Sequence, residues 1–341
     1  MMKKRAFITG IAGQDGFYLA EYLLGLGYEV WGLSRKMNPN FLSQFATASQ
    51  RNNIHLLYGD LRDETLLRSA LEESNPDEIY NLAAQSEPGL SFTCPEETME
   101  INYVAVERFL KEVIRFNPSI RFYQASSSEM FGTTPPPQNE KSIFAPVSPY
   151  GEAKRLTHEY LVEGGRKKHG LFICSGILFN HESPRRGEQF VTRKISTSLS
   201  KIKLGLQDTF SLGNIEVKRD WGFAGDYVKA MHLMLTQKKP EDYVIATGVT
   251  HTIREFVDAT ARALDMGLSW EGSGLEEVAR DAVGKTILTI NKDYYRPAEP
   301  YHTRGDSAKA RIELGWSPET TFEGLTEMMA KADYERLTKL L

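Results

Sequence analysis

Arg5-Ala6-Phe7-Ile8-Thr9-Gly10-Ile11-Ala12-Gly13-Gln14-Asp15-Gly16 reads as a short buried strand running into a glycine turn. Phe17, Leu19, Ala20, Tyr22, Leu23 and Leu24 follow at helical spacing. Strand, glycine turn, helix is the context that gives a glycine triplet meaning. Glycines let the backbone approach a pyrophosphate, and the helix start supplies unbonded N–H groups and a partial positive charge. The spacing is G-x-x-G-x-x-G, a variant of the dinucleotide fingerprint G-x-G-x-x-G.

Working outward, residues 28–33 read as a second strand that ends at Ser34-Arg35-Lys36. An acid at this point would hold a ribose 2′-hydroxyl, whereas an Arg accommodates a 2′-phosphate; Arg35, backed by Lys36, favours NADP over NAD. Residues 37–53 carry no clear period and are expected to be loop with a short helix. A third strand at 54–58 ends at Gly59-Asp60-Leu61. Asp60 can reach an adenine amino group or cap the helix expected at 63–74. A fourth strand, 78–82, is followed by the small residues Ala83-Ala84-Gln85-Ser86. A long helix at 95–116, a fifth strand at 121–125 and a sixth at 171–178 complete the alternation. Alternating strands and helices predict an α/β fold, a doubly wound parallel sheet, for residues 1–178.

Ser148-Pro149-Tyr150-Gly151-Glu152-Ala153-Lys154 opens a helix expected to run to 169. Ser148 can cap it, and Pro149 suits its first turn. Tyr150 and Lys154 then share one face, about 6 Å apart along the axis. A nearby ammonium or a cationic nicotinamide ring favours the phenolate of a Tyr, which makes it a base. The alternative is a pair of neighbours on a solvated face. Ser126-Ser127-Ser128-Glu129 falls at the carboxyl end of the fifth strand, where open α/β sheets place ligands. Glu129 at this place is either a group facing a ligand or a loop carboxylate that caps or pairs locally.

Beyond 178 the pattern changes to a smaller lobe, 179–341, with helices at 191–204, 224–235, 253–264 and 322–340. Short strands are expected at 210–212, 243–246 and 286–290, some of them returning to the main sheet. Arg185, Arg186, Arg193, Lys194, Arg219, Arg254 and Arg296 are expected at loop positions, where cations suit a nucleotide diphosphate.

The 41 basic and 45 acidic residues leave a net charge of −4, which gives no electrostatic reason for nucleic acid or a membrane surface as partner. No apolar run nears membrane-spanning length, and no signal-peptide core follows Met1-Met2-Lys3-Lys4, so a cytoplasmic protein is expected. The 2 cysteines, Cys94 and Cys174, lack metal-ligand or disulfide spacing and are expected as buried free thiols, with no metal site.

The chain resembles the extended short-chain dehydrogenase/reductase family, and within it the sugar-nucleotide dehydratases that act on GDP-mannose. The resemblance is carried by residues 176–187 (Gly176-Ile177-Leu178-Phe179-Asn180-His181-Glu182-Ser183-Pro184-Arg185-Arg186-Gly187) and 190–195. Residues 10–15, 122–126, 148–151, 212–214, 218–222, 244–248 and 295–299 extend it over nearly the whole chain. It implies a hydro-lyase that dehydrates GDP-D-mannose to GDP-4-keto-6-deoxy-D-mannose by internal hydride transfer through NADP. The catalytic set it implies is Ser127, Glu129, Tyr150 and Lys154. The cofactor set is Gly10, Gly13, Gln14, Asp15, Gly16, Arg35, Asp60, Leu61, Leu82, Ala84, Ser86, Lys154, His181 and Arg186. Asn180, Lys194, Arg219, Arg254, Arg296 and Glu299 are implied for the GDP-sugar. A homodimer or homotetramer is also implied, with the helices at 95–116 and 150–169 forming its interface. Ser127 stands where the family usually has Thr. Two stretches depart further: residues 36–53 differ from the family's Arg-containing loop that reaches a neighbouring subunit, which bears on the tetramer, and Glu87-Pro88-Gly89 replaces a His or aromatic. The competing readings are a same-fold GDP-sugar enzyme acting on another hexose or heptose, as dehydratase or 4-epimerase, and a catalytically silent NADP-binding regulator.

Overall fold

The computed structural model describes residues 3–295 and 302–341. Seven parallel strands form the central sheet: β1 (Arg5–Thr9), β2 (Glu29–Ser34), β3 (Ile54–Tyr58), β4 (Glu78–Asn81), β5 (Arg121–Ser127), β6 (Ile173–Leu178) and β7 (Asp242–Ile245). Their spatial order is β7-β6-β5-β4-β1-β2-β3. Phe7 faces Trp31 on one side and Ile79 on the other, so β1 sits between β2 and β4. The winding direction reverses there, which opens a crevice at the carboxyl ends of β1 and β4.

Both faces of the sheet are covered, which is why its strands read as apolar runs rather than alternations. One core joins Ile8, Tyr80, Tyr123 and Cys174 to α1 (Gln14–Gly25). The other joins Phe7, Ile79, Phe122 and Ile173 to α2 (Glu64–Ser74) and α3 (Ala105–Phe116). Asp63, not Asp60, caps α2, accepting from the Leu66 N–H at 3.0 Å. Asp60 instead accepts two bonds from the Arg62 guanidinium, each 2.9 Å. The helix expected at 95–116 is interrupted by a π-helical turn, Glu100–Val104. The helix that begins with α4 (Pro149–Leu156) likewise passes through a π-helical stretch, Thr157–Glu163, before Gly164–His169. Cys174 is buried as expected, whereas Cys94 is only partly so.

A third core builds the smaller lobe from α5 (Val191–Lys203), α7 (Ile253–Ala263) and α8 (Phe322–Thr338). Between them α6 (Ala224–Thr236) leaves the lobe to pack on α1, and β7 joins the main sheet beside β6. A four-stranded sheet holds the expected strands Phe210–Leu212 and Thr286–Ile290, with two further strands, Ser269–Glu271 and Val278–Arg280. Among the described residues no helix is long and apolar enough to cross a membrane.

His158, buried against the edge of the sheet, makes folding pH-dependent. Its Nδ1 lies 3.1 Å from Ser175 Oγ, and its Nε2 faces Asp242 at 3.8 Å and Glu163 at 4.0 Å. Phe144 packs edge-on, and the Arg166 charge is near. Burial, opposed by Asp242, pushes the imidazole below its ordinary value. The unfolded chain therefore protonates first, near pH ~6.5, and stability present above that pH is lost as pH falls through the folded value. Thermal unfolding at pH 7.5 and pH 5.5 should show a smaller loss of Tm for His158→Gln than for the unaltered chain. Equal losses would contradict this.

Candidate active site

The glycine turn leaves β1 at the crevice, and α1 begins there with no side-chain cap, so its first N–H groups face the cleft. Gly16 allows that turn to close tightly: a Cβ on it would lie 2.4 Å from the Gly10 carbonyl oxygen. The cleft encloses about 400 Å³ and is lined by Gly10, Gly13, Gln14, Asp15, Gly16, Arg35, Asp60, Leu61, Leu82, Ala84, Ser86 and Arg186. An uncapped helix start in a glycine cradle fits a dinucleotide, and the exposed Arg35 and Lys36 stand at its rim.

A buried polar ladder fixes the floor. Thr9 Oγ1 donates to Asn81 Oδ1 at 2.6 Å, and Asn81 Nδ2 donates to Gln124 Oε1 at 2.8 Å. Thr9 Oγ1 also accepts from the Leu82 and Ala83 N–H groups, each at 3.1 Å. Asn102, in the π-helical turn, bonds both backbone groups of Gln85, each at 2.9 Å. The sequence reading assigns no role to Thr9, Asn81, Gln124 or Asn102. An Asn inside the apolar face of a helix was the available signal.

Adjoining the cleft is a second pocket lined by Ser127, Glu129, Tyr150, Lys154, Asn180, His181 and Arg186. Ser148 Oγ caps α4 by accepting from the Gly151 N–H at 3.0 Å, with Pro149 in the first turn as expected. Ser91, from the short helix that contains Pro88 and Gly89, accepts from the Tyr150 N–H at 3.2 Å. Gly151 lets α4 lie against the Glu129 main chain, because a Cβ there would sit 2.6 Å from that carbonyl oxygen. These contacts place Tyr150 and Glu129 side by side. Tyr150 and Lys154 are both buried, not on a solvated face.

The expected lowering of the Tyr150 phenol is not found in the protein alone. Burial pushes it up to about 12, a hydrogen bond with Ser127 pulls against this, and the Glu129 charge adds to the rise. Burial also pushes Lys154 down to about 8, with Asp15 opposing. The Lys154 ammonium bonds the Ala125 carbonyl at 2.9 Å and stands 5.8 Å from the Tyr150 ring centre. Desolvation disfavours the charged form of each group, so the pair is neutralising before it is activating.

His181 and Arg186 enter from the second half of the chain. His181 Nε2 lies 2.8 Å from Asp15 Oδ2, and its ring stacks on Tyr227. Burial would raise the Asp15 carboxyl, but His181, Gln14 and Arg186 together hold it below its usual range. Arg186 borders the cleft, the Tyr150 pocket and a third cavity of about 420 Å³ in the lobe. That cavity is lined by Glu87, Asn180, Gln189, Lys194, Asn214, Arg219, Trp221 and Tyr294, among others. The Lys194 ammonium lies 3.6 Å over the Tyr294 ring. Arg254 does not line it: Glu216 and Glu277 take its guanidinium at 2.6 and 2.7 Å. Not all these cations are loop residues, since Arg193 and Lys194 lie on α5 and Arg254 in the first turn of α7. Arg296 and Glu299 fall outside the described residues. Among the described residues no cluster of His, Cys, Asp and Glu could hold a metal ion.

The family model described as GDP-mannose 4,6 dehydratase matches residues 7–329. GDP-mannose 4,6 dehydratase 1 of Arabidopsis thaliana is 47% identical over 343 residues, covering 98% of this chain and 90% of the relative. GDP-mannose 4,6 dehydratase of Homo sapiens is 46% identical, covering 97% and 91%. The structure of RMD from Pseudomonas aeruginosa, complexed with NADPH, superposes with a TM-score of 0.76 at 24% identity over 98% of this chain and 100% of that one, a likeness of fold.

Proposed function

From the premise that the chain belongs to the GDP-mannose 4,6-dehydratase family, we propose that it dehydrates GDP-D-mannose to GDP-4-keto-6-deoxy-D-mannose, with NADP as internally recycled cofactor. The observation that carries this reading is Glu129 in one pocket with Tyr150 and Lys154. A plain dehydrogenase or a 4-epimerase needs the Tyr and Lys. Elimination across C5 and C6 needs a second base as well.

Residues 1–178 hold the cofactor and the catalytic groups, and residues 179–341 mostly hold the GDP-sugar. The N–H groups at the start of α1 would hold the pyrophosphate, beside Gly10, Gly13, Gln14, Asp15 and Gly16. Arg35 would take the 2′-phosphate, Asp60 and Leu61 the adenine end, and Leu82, Ala84, Ser86, Lys154, His181 and Arg186 the nicotinamide end. When bound, NADP accepts the hydride of C4, returns it to C6, and by its cationic ring favours the phenolate of Tyr150. Tyr150 takes the proton of the C4 hydroxyl, steadied by the Ser127 hydroxyl. The C4 ketone acidifies C5–H, and Glu129 removes that proton. Water leaves from C6 with a proton from Glu129, Ser127 or Tyr150, the proton carriers facing the pocket. Of the protons taken from the C4 hydroxyl and from C5, one leaves with the water and the other returns to C5 as the hydride reaches C6, so no net oxidation results. Asn180, Lys194 and Arg219 would hold the GDP portion in the lobe cavity, and Arg254 would reach it by exchanging Glu216 or Glu277.

GDP-[4-²H]mannose tests the internal transfer. Its deuterium is expected in the C6 methyl group of the product. Deuterium returned to C4, with the 6-hydroxyl kept, would mark an epimerase instead. Cofactor choice is tested through Arg35→Ala. A lost charge-assisted bond to phosphate of about 1.5–3 kcal/mol should lower the NADP-over-NAD ratio of kcat/KM about 10- to 100-fold. An unchanged ratio would remove Arg35 from the 2′-phosphate.

A further inference from the structure

Asp333 lies on α8, far along the chain from every group assigned above, yet it is buried and fully engaged. It receives Arg193 in a fork, Nε to Oδ2 at 3.0 Å and Nη2 to Oδ1 at 2.7 Å. Ser196 and Thr197 of α5 donate to the same carboxylate at 2.6 and 3.2 Å, and Arg336 at 3.1 Å. The remaining nitrogen of the Arg193 fork turns the other way. Nη1 donates to the Pro184 carbonyl at 2.7 Å and to the Arg186 carbonyl at 2.6 Å.

A buried ion pair is a poor device for docking two helices, because desolvating both charges offsets most of their attraction. Well-packed apolar side chains would join α5 to α8 at less cost. What apolar side chains cannot do is hold two main-chain carbonyls of a loop in place. The planar guanidinium can bind a carboxylate on one edge and those carbonyls on the other. The loop so held carries Arg186. Its guanidinium is steadied separately, with Cζ 3.6 Å above the Phe190 ring and Nε 3.1 Å from Glu182. Glu182 in turn accepts from Thr192 Oγ1 at 2.6 Å.

We propose that Asp333, through Arg193, is a positioning residue that aims Arg186 into the cofactor cleft. This rests on the reading that the cleft takes NADP and that Arg186 contacts it. Neither Asp333 nor Arg193 lines the cofactor cleft, the Tyr150 pocket or the lobe cavity; they fix the main chain from which Arg186 reaches.

The test is NADPH affinity by fluorescence titration, with Tm followed in parallel, on a double-mutant cycle. Arg193→Lys keeps the charge beside Asp333 but loses the fork, and is expected to weaken NADPH about tenfold, the scale of one misplaced charge-assisted bond. The same change made in an Arg186→Ala chain should weaken NADPH less than about twofold, because the group it positions is gone. Ser196→Ala, which removes a bond to Asp333 without touching the loop, should lower Tm and leave NADPH affinity unchanged. Asp333→Asn should follow Arg193→Lys; if it does not fold, the Arg193 and Ser196 variants carry the test. Equal weakening by Arg193→Lys in both backgrounds, or equal weakening by Ser196→Ala, would overturn the proposal in favour of a structural role. Unchanged NADPH affinity on Arg186→Ala alone would instead overturn the assignment of the cleft on which the proposal stands.

Discussion

Tyr150→Phe is expected to lower kcat about 10²- to 10⁴-fold, the usual contribution of a positioned general base, while NADPH binding stays close to that of the unaltered chain. Tyr150 is a buried residue of α4, and the change to Phe removes a single oxygen while keeping the ring. What disappears is the one phenol among the described residues that meets both Ser127 and Glu129 in the Tyr150 pocket. Fluorescence titration with NADPH and a product assay on the same preparation check both halves. A protein whose role was only to bind NADP would have no turnover to lose. Turnover that survives in Tyr150→Phe would take the C4 proton away from Tyr150.

Glu129→Gln should separate the two chemical stages. The amide keeps the shape of the side chain but cannot accept the C5 proton. Oxidation at C4 needs only Tyr150 and Lys154, so it should proceed once per site. Elimination should then stop, and reduced cofactor should accumulate on the enzyme, visible by its near-ultraviolet absorbance, with no 6-deoxy product. The loss in steady-state turnover is again about 10²- to 10⁴-fold. Normal dehydration by Glu129→Gln would end its assignment as the C5 base. Loss of both oxidation and elimination would point to a positioning role through Tyr150, whose phenol feels the Glu129 charge.

Much of the molecule was legible because local chemistry and tertiary context agree there. β1 falls at the expected residues, since a strand buried on both faces shows as an apolar run, and the edge strand β3 falls there too although of its residues only Ile54 is buried. Ser148-Pro149 marked the start of α4 because the cap and the proline each satisfy a local backbone need. The cleft residues from Gly10 to Ser86 come together because the sheet reverses direction beside β1.

Other features depend on partners distant in sequence. Arg193 read as a loop cation for phosphate, and only the folded chain shows Asp333 taking its charge. The π-helical turn at Glu100–Val104 holds Asn102, whose amide bonds the distant main chain of Gln85. By sequence Asp60 can cap the helix at 63–74, but in the fold Asp63 takes that place while Arg62 engages Asp60. The phenol of Tyr150 was expected to be lowered because Lys154 follows four residues later. Burial, which no spacing reveals, drives it the other way.

The central claim is that one pocket both oxidises C4 and eliminates across C5 and C6. The most direct measurement is NMR of the purified protein incubated with GDP-D-mannose and a catalytic amount of NADP. The account predicts a C6 methyl doublet, a hydrated 4-ketone and no net NADPH. NADPH formed in step with sugar consumed, or a product that keeps its 6-hydroxymethyl group, would contradict it.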